Sequence, residues 1–279
     1  MKFNALSSKL YEVVRLPAQG EPYPHPVLFV HGAWHGAWCW EPYFMPHFAA
    51  HGFDVTAFSL RGHGNSHGRR TLAVTRLVDY VDDLRIMLAQ FERPPVLIGH
   101  SMGALICQKI LECYHDIPAA VMLAPIPHTG TSGLAWRTAT RRPLTALNIV
   151  LTGDVYRLVA EPNPDGTSFF SPRMPAAEAE TFMQRFTHES FVATGFDALF
   201  FDLPRPVCVR TPMLVLAGRH DTLFTVKEIQ RTAHAYDTEA LVFDEMGHEL
   251  MLDPGWQDVT ATIFEWLRLP EMNAKRNVR

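Results

Sequence analysis

The sequence predicts an α/β fold: a mostly parallel central sheet with helices on both faces, plus a helical cap insertion. Three observations predict it. Short apolar runs of strand type alternate with amphipathic stretches of helical period, the pattern of a parallel sheet covered on both sides. The stretch "VLIGHSMGAL" places Ser101 between Gly99 and Gly103, where a strand-like run gives way to a helical one. The alternation then stops between 127 and 206, where aromatic, helix-like pieces and the turn-rich "EPNPDGTSFFSP" stand instead of a buried strand.

In chain order, an apolar run at 26–30 ends in His31 and Gly32, and a second covers 54–60. A helical stretch at 74–91 leads to the strand candidate 94–98. The helix at 103–114 follows, with Leu105, Ile106, Ile110 and Leu111 on roughly one face. After a strand at 119–123 comes the interruption, then a strand at 212–216, a helix at 225–236, a strand at 240–243 and a helix at 258–267. A chain of 279 residues can bury roughly three quarters of its unfolded surface. The reading is one core built from 1–126 and 207–279, with 127–206 inserted between two of its strands. No internal repeat or low-complexity tract interrupts this order.

Composition excludes several classes. The net charge is −4 with both signs interspersed, and the one basic cluster, Lys275, Arg276 and Arg279, reads as a solvated tail, so nucleic acid is not an expected partner. The four cysteines, Cys39, Cys107, Cys113 and Cys208, form no CxxC pair and read as reduced structural thiols. The N-terminal stretch lacks the apolar core of a signal peptide, and no window approaches the ~18 apolar residues of a membrane span. The expectation is a cytoplasmic protein with a small-molecule substrate and no membrane span. The sequence leaves room for a homodimer.

A serine between two glycines at a strand-to-helix turn is held in a strained conformation, and side chains at either glycine would collide with the neighbouring elements. Its hydroxyl then sits at a helix N-terminus, where N–H groups face negative charge. Such a hydroxyl becomes a nucleophile only beside a base held in one tautomer by an acid. Among fourteen histidines, His248 in "FDEMGHELMLDP" follows the last strand candidate, and Asp221 in "LVLAGRHDTLF" occupies the equivalent loop one strand earlier. Loops at the C-terminal ends of strands are where α/β sheets place chemistry, and serine, acid, histidine is the order this elbow requires. Asp244 and Glu245, in or beside the strand, are expected to face solvent. His100, adjacent to the nucleophile, and His220 read as supporting residues rather than bases. A carbonyl reaction also needs oxyanion donors; the turn at His31 and Gly32 offers the Ala33 N–H, and the elbow offers the Met102 N–H.

These pieces, "HGAWHGAW", "LRGHGNS", "GHSMG", "GRHDTLF" and "MGHE", occur in an order that resembles the α/β-hydrolase-fold serine hydrolases, the esterase/lipase-like superfamily. The resemblance implies Ser101 as nucleophile, Asp221 as acid, His248 as base, and an oxyanion hole at Ala33 and Met102, with no cofactor. One departure is that Ser59 and Leu60 stand where the family often carries an acidic residue before "RGHG".

The insertion is similar to the family's cap, which shapes the substrate pocket. Its aromatic residues, with Phe182 and Phe186 on one helix face, favour an apolar acyl or aromatic group; Trp34, His100, Phe170 and Phe186 are the candidate substrate-binding residues. No long exposed apolar helix of a lipid-docking kind stands out, which points to short or medium chains. The spacings His31/His35 and His63/His67 resemble half of a zinc motif, but they lie in glycine-broken loops without the intervening glutamate, so no metal is expected. The expected activity is hydrolysis of a carboxylic ester, thioester or lactone through an acyl-enzyme. "HGAWHGAWCW" is also similar to the plant hydroxynitrile lyase and methyl-ester esterase branch. A lyase with the same triad is therefore the alternative, weakened by the absence of lysine between His128 and Pro206. A binding protein that keeps the fold is a further alternative.

Overall fold

The computed structural model describes residues 10–160 and 169–269. The basic cluster at 275–279 and most of "EPNPDGTSFFSP" lie outside the described residues. The strands are β1 (Val13–Leu16), β2 (Val27–Val30), β3 (Val55–Phe58), β4 (Val96–His100), β5 (Ala120–Leu123), β6 (Met213–Gly218) and β7 (Ala240–Phe243). They form one seven-stranded sheet in the order β1-β3-β2-β4-β5-β6-β7. All neighbours are parallel except β1, which runs antiparallel to β3. From β2 to β6 every strand residue is buried, which is why these segments read as continuous apolar runs.

Helices α1 (Phe44–Ala50), α2 (Leu77–Leu88) and α3 (Met102–Ile110) belong to the first half of the core. The insertion between β5 and β6 holds α4 (Ser132–Arg141), α5 (Pro143–Thr152), α6 (Arg157–Ala160), α7 (Ala176–Met183) and a π-helix over Val192–Phe201. The core resumes with α8 (Val226–Ala235), on β6 and β7, and α9 (Trp256–Arg268), which packs against α1. In α8 the N-cap Thr225 and Glu228 satisfy each other's end of the helix in a capping box.

Several polar ties fix the insertion to the core. Asp197 of the π-helix accepts from the Arg76 guanidinium and the Leu77 N–H at the start of α2 (2.6–3.0 Å). The Thr187 N–H donates to the Trp34 carbonyl at 2.8 Å. The Ser171 hydroxyl donates to buried Asp253 at 2.8 Å.

One expectation about the insertion changes. Helix α7 ends at Met183, so Phe182 and Phe186 do not share a helix face; Phe186 lies in the turn that follows. In α5, a helix of ten residues, Leu144, Leu147, Val150 and Leu151 are exposed. A thin cap of short helices cannot bury both of its apolar faces. Among the described residues no disulfide forms, and no helix is long and apolar enough to cross a membrane.

Candidate active site

Strand β4 ends at His100 and α3 begins at Met102, so Ser101 alone makes the turn, with φ 51° and ψ −114°. A non-glycine residue at positive φ costs of order 1–3 kcal/mol and persists only where its surroundings fix it. Here they do. A Cβ at Gly99 would stand 2.7 Å from the Gly103 carbonyl oxygen, and one at Gly103 would enter the carbonyls of Val30 and His31. Both glycines are required by close backbone approach. The oxyanion turn is equally close, since a Cβ at Gly32 would lie 3.0 Å from the Ser101 Cβ. Among the described residues, the Ala33 and Met102 N–H groups have no acceptor.

His248 lies in the loop after β7, and Asp221 in the loop after β6. The His248 Nδ1 is 2.8 Å from the Asp221 Oδ2. The other carboxylate oxygen accepts the N–H groups of Leu223 and Phe224 at 2.8 and 3.0 Å, which fixes the carboxylate's orientation. An accepting carboxylate puts the imidazole proton on Nδ1 and leaves Nε2 with a lone pair. That Nε2 is buried and has no hydrogen-bond partner among the described residues. Burial acts to lower the His248 pKa, but the charge and hydrogen bond of Asp221 outweigh it, and the net direction is upward.

The base loop is clamped from both sides. Its His248 N–H donates to the Phe169 carbonyl at 2.7 Å, and the Gly247 N–H donates to Asp253 at 2.6 Å. The His100 Nε2 lies 3.1 Å from the His248 carbonyl, which ties the elbow to the base loop.

Ser101 borders a cavity of about 320 Å³, with Ala33, Trp34 and Phe224 on the core side and Leu134, Ile149 and Leu199 among the cap residues. No charged side chain lines it. A larger cleft of about 1020 Å³ reaches Asp221, Arg141 and Phe170 but contains neither Ser101 nor His248.

The profile of the alpha/beta hydrolase family matches residues 27–259, most of the chain. The chain belongs to that family. Methylesterase 3 of Arabidopsis thaliana is 36% identical over 81 residues, which is 28% of this chain and 30% of that protein. Matches to the first curated relatives thus span about a third of their length. Among solved structures, MenH from S. aureus superposes with a TM-score of 0.71 at 17% identity, covering 96% of this chain and 99% of that one. An esterase from Exiguobacterium antarcticum does so with 0.69 at 17% identity, covering 93% and 96%. At such identities the likeness is one of fold.

In this alpha/beta hydrolase the sequence candidates separate. Ser101, Ala33 and Trp34 border one cavity; His248 and Asp221 are bonded to each other, and Asp221 accepts from Leu223 and Phe224, which line that cavity. Three candidate substrate-binding residues are elsewhere. Phe170 lines the larger cleft. Phe186 is packed against the rings of His35 and Trp38. His100 is buried behind the elbow and borders no part of the Ser101 cavity. Asp244 is exposed and paired with Arg219. The carboxylate missing at Ser59 and Leu60 is supplied by Glu12, which accepts from the Ser59 hydroxyl and the Asn65 side chain.

Sequence reasoning missed Asp253 and Glu249 and gave His35 only a turn. His35, His100 and Glu249 converge beneath the elbow, their polar atoms within 4.8 Å of one another. Neither i,i+4 histidine pair makes such a group: His31 meets His63 edge to face, while His63 faces Glu189 at 3.1 Å. The one local signal for Glu249 was a carboxylate directly after the candidate base.

Proposed function

We propose that the protein hydrolyses carboxylic esters of small apolar acyl or aromatic groups through an acyl-enzyme. Ser101 Oγ attacks the carbonyl carbon while His248 Nε2 takes its proton, and Asp221 holds the resulting imidazolium. The N–H groups of Ala33 and Met102 receive the oxyanion. Collapse of the tetrahedral intermediate expels the alcohol, which takes the proton from His248. Water then attacks the acyl group with the same base and frees the acid.

The observation that carries this reading is the pairing of His248 Nδ1 with Asp221, which leaves a buried Nε2 without a hydrogen-bond partner in a loop tied through His100 to the strained turn at Ser101. The cavity is at the small end of the ~300–1,000 Å³ of ligand sites, which supports short to medium chains. Related esterases, lipases and lactonases on the same fold are consistent with it.

The test is a series of p-nitrophenyl esters from acetate upward. Each buried methylene contributes roughly 0.8 kcal/mol, so kcat/KM should climb several-fold per added methylene and then stop improving once the cavity is full. Ser101→Ala should remove the activity at every length. A flat profile, or turnover only of emulsified long-chain lipid, would contradict the substrate class. Activity retained in Ser101→Ala would contradict the mechanism.

A further inference from the structure

We infer that His35 and Glu249 form a buried ion pair that positions the oxyanion turn against the nucleophile and the base, although neither residue takes part in the reaction. The inference rests on the hydrolytic reading of Ser101 and His248. His35 Nδ1 lies 2.6 Å from the carbonyl oxygen of Ala33, the residue whose N–H is the proposed oxyanion donor. A carbonyl can only accept, so Nδ1 carries a proton. The other ring nitrogen, Nε2, stands 3.2 Å from the Glu249 Oε2. The contact has no aligned hydrogen bond, and a neutral ring would turn its lone pair toward the carboxylate, which is why the two are taken as an ion pair.

Glu249 directly follows His248, and its carboxylate also stands 3.9 Å from His100 Nε2, one residue before Ser101. That same Nε2 is bonded to the His248 carbonyl. The three side chains therefore come from the three segments that must meet for the reaction: the oxyanion turn, the elbow and the base loop. All three are at most 1% exposed. Burial opposes a charge on Glu249, yet the neighbouring His35 and His100 hold its carboxyl well below the ordinary carboxylate range. Both Glu249 oxygens lack any well-aligned hydrogen bond, so charge attraction to His35 is what compensates their desolvation. Breaking one half of such a pair leaves the other half buried and uncompensated. His35 is further wedged between the rings of Trp38 and Phe186, at 5.3 and 4.4 Å, so its attachment to Ala33 is rigid.

A positioning role and a merely structural one differ in what an apolar replacement restores. Glu249→Gln, His35→Gln and the paired change His35→Leu with Glu249→Leu are compared with the parent protein. Three quantities are measured: thermal midpoint, kcat and KM for p-nitrophenyl butyrate, and the rate of Ser101 phosphorylation by diethyl p-nitrophenyl phosphate. In the last reaction the Ser101 O–P bond forms, the P–O bond to the aryl group breaks, p-nitrophenolate leaves, and the hydroxyl proton passes to His248.

Each Gln variant should lower kcat and the phosphorylation rate by roughly 10²-fold, as expected for small misplacement of reacting groups, with KM nearly unchanged. The paired leucines should recover the thermal midpoint, because well-packed apolar residues replace a buried pair without loss, yet leave both rates low. Rates that return with the thermal midpoint, or Gln variants that react at the parent rate, would overturn the positioning role. So would a stoichiometric metal ion in the purified protein whose removal by chelator abolishes activity, since the three side chains would then be its ligands. A parent that is phosphorylated on Ser101 but inert toward esters contradicts the ester reading while the phosphorylation rates still decide the inference. A parent inert to both reagents contradicts both.

Discussion

The elbow region and the cap are built on opposite principles. Around Ser101 close backbone approach sets the geometry: atoms of β2, of the turn after it and of α3 leave no room for side chains at Gly99 and Gly103, and Asp221 is held by three donors. Above it, the cavity is walled by aliphatic and small residues from α4, α5 and the π-helix, and α5 turns four apolar side chains to solvent. The lesson is a division of labour. On the proposed function, reactivity would rest on a fixed polar constellation that tolerates almost no change, and selectivity on the volume of a thin layer that can be repacked.

The sharpest way to break this division is at the acid. Asp221→Asn should lower kcat by up to about 10⁴-fold, because the wrong histidine tautomer is then stabilised, and Asp244→Asn should leave it unchanged. Steady-state kinetics of the two variants decide it. If the exposed Asp244 variant were the crippled one, the assignment of the loops would be wrong.

Filling the cap should do something different in kind. Ile149→Trp should reduce kcat/KM for the longer p-nitrophenyl esters by tens of fold, on the order of 1–3 kcal/mol of overpacking, while acetate is spared. Phe170→Ala should not move the optimum, since Phe170 lies outside the Ser101 cavity. A chain-length profile for each variant separates the cases.

Stability gives the same contrast. Gly103→Ala drives a methyl group into the carbonyls of Val30 and His31 and should cost about 1–3 kcal/mol or more by chemical denaturation. Leu144→Ser on the exposed face of α5 should stay within roughly 0.5 kcal/mol.

The pH dependence carries a sign. His248 must be neutral to accept a proton, and its pKa is shifted upward from 6.5 because Asp221 outweighs burial. The acid limb of kcat/KM should therefore lie above pH 6.5, with activity lost as pH falls through it. In Asp221→Asn that limb should move to lower pH.

Much of the site was legible because its determinants are local. Six of the seven strands are apolar runs, and the turn at Ser101 is marked by five consecutive residues read together with the strand and helix that flank them. Strand ends moved slightly: β4 continues through Gly99 and His100, which still pair with Met122 and Leu123, a continuation that apolar character alone does not mark. Strand β1 was missed because "VVRL" lies at an antiparallel sheet edge, half-buried and without a full apolar run. Helix α1 was missed because it is only seven residues long and carries Pro46 in its first turn, where proline is tolerated. The π-helix has no period a helical search detects. The meeting of His35 with Glu249 could not be read at all, since it depends on the sheet bringing two distant loops to one point.

If Ser101 is the activated nucleophile, treating the folded protein with a serine-directed organophosphonate and locating the adduct by mass spectrometry should find a single adduct on the peptide containing Ser101, formed far more slowly in Asp221→Asn. An adduct on another residue, or none on folded protein, would contradict it.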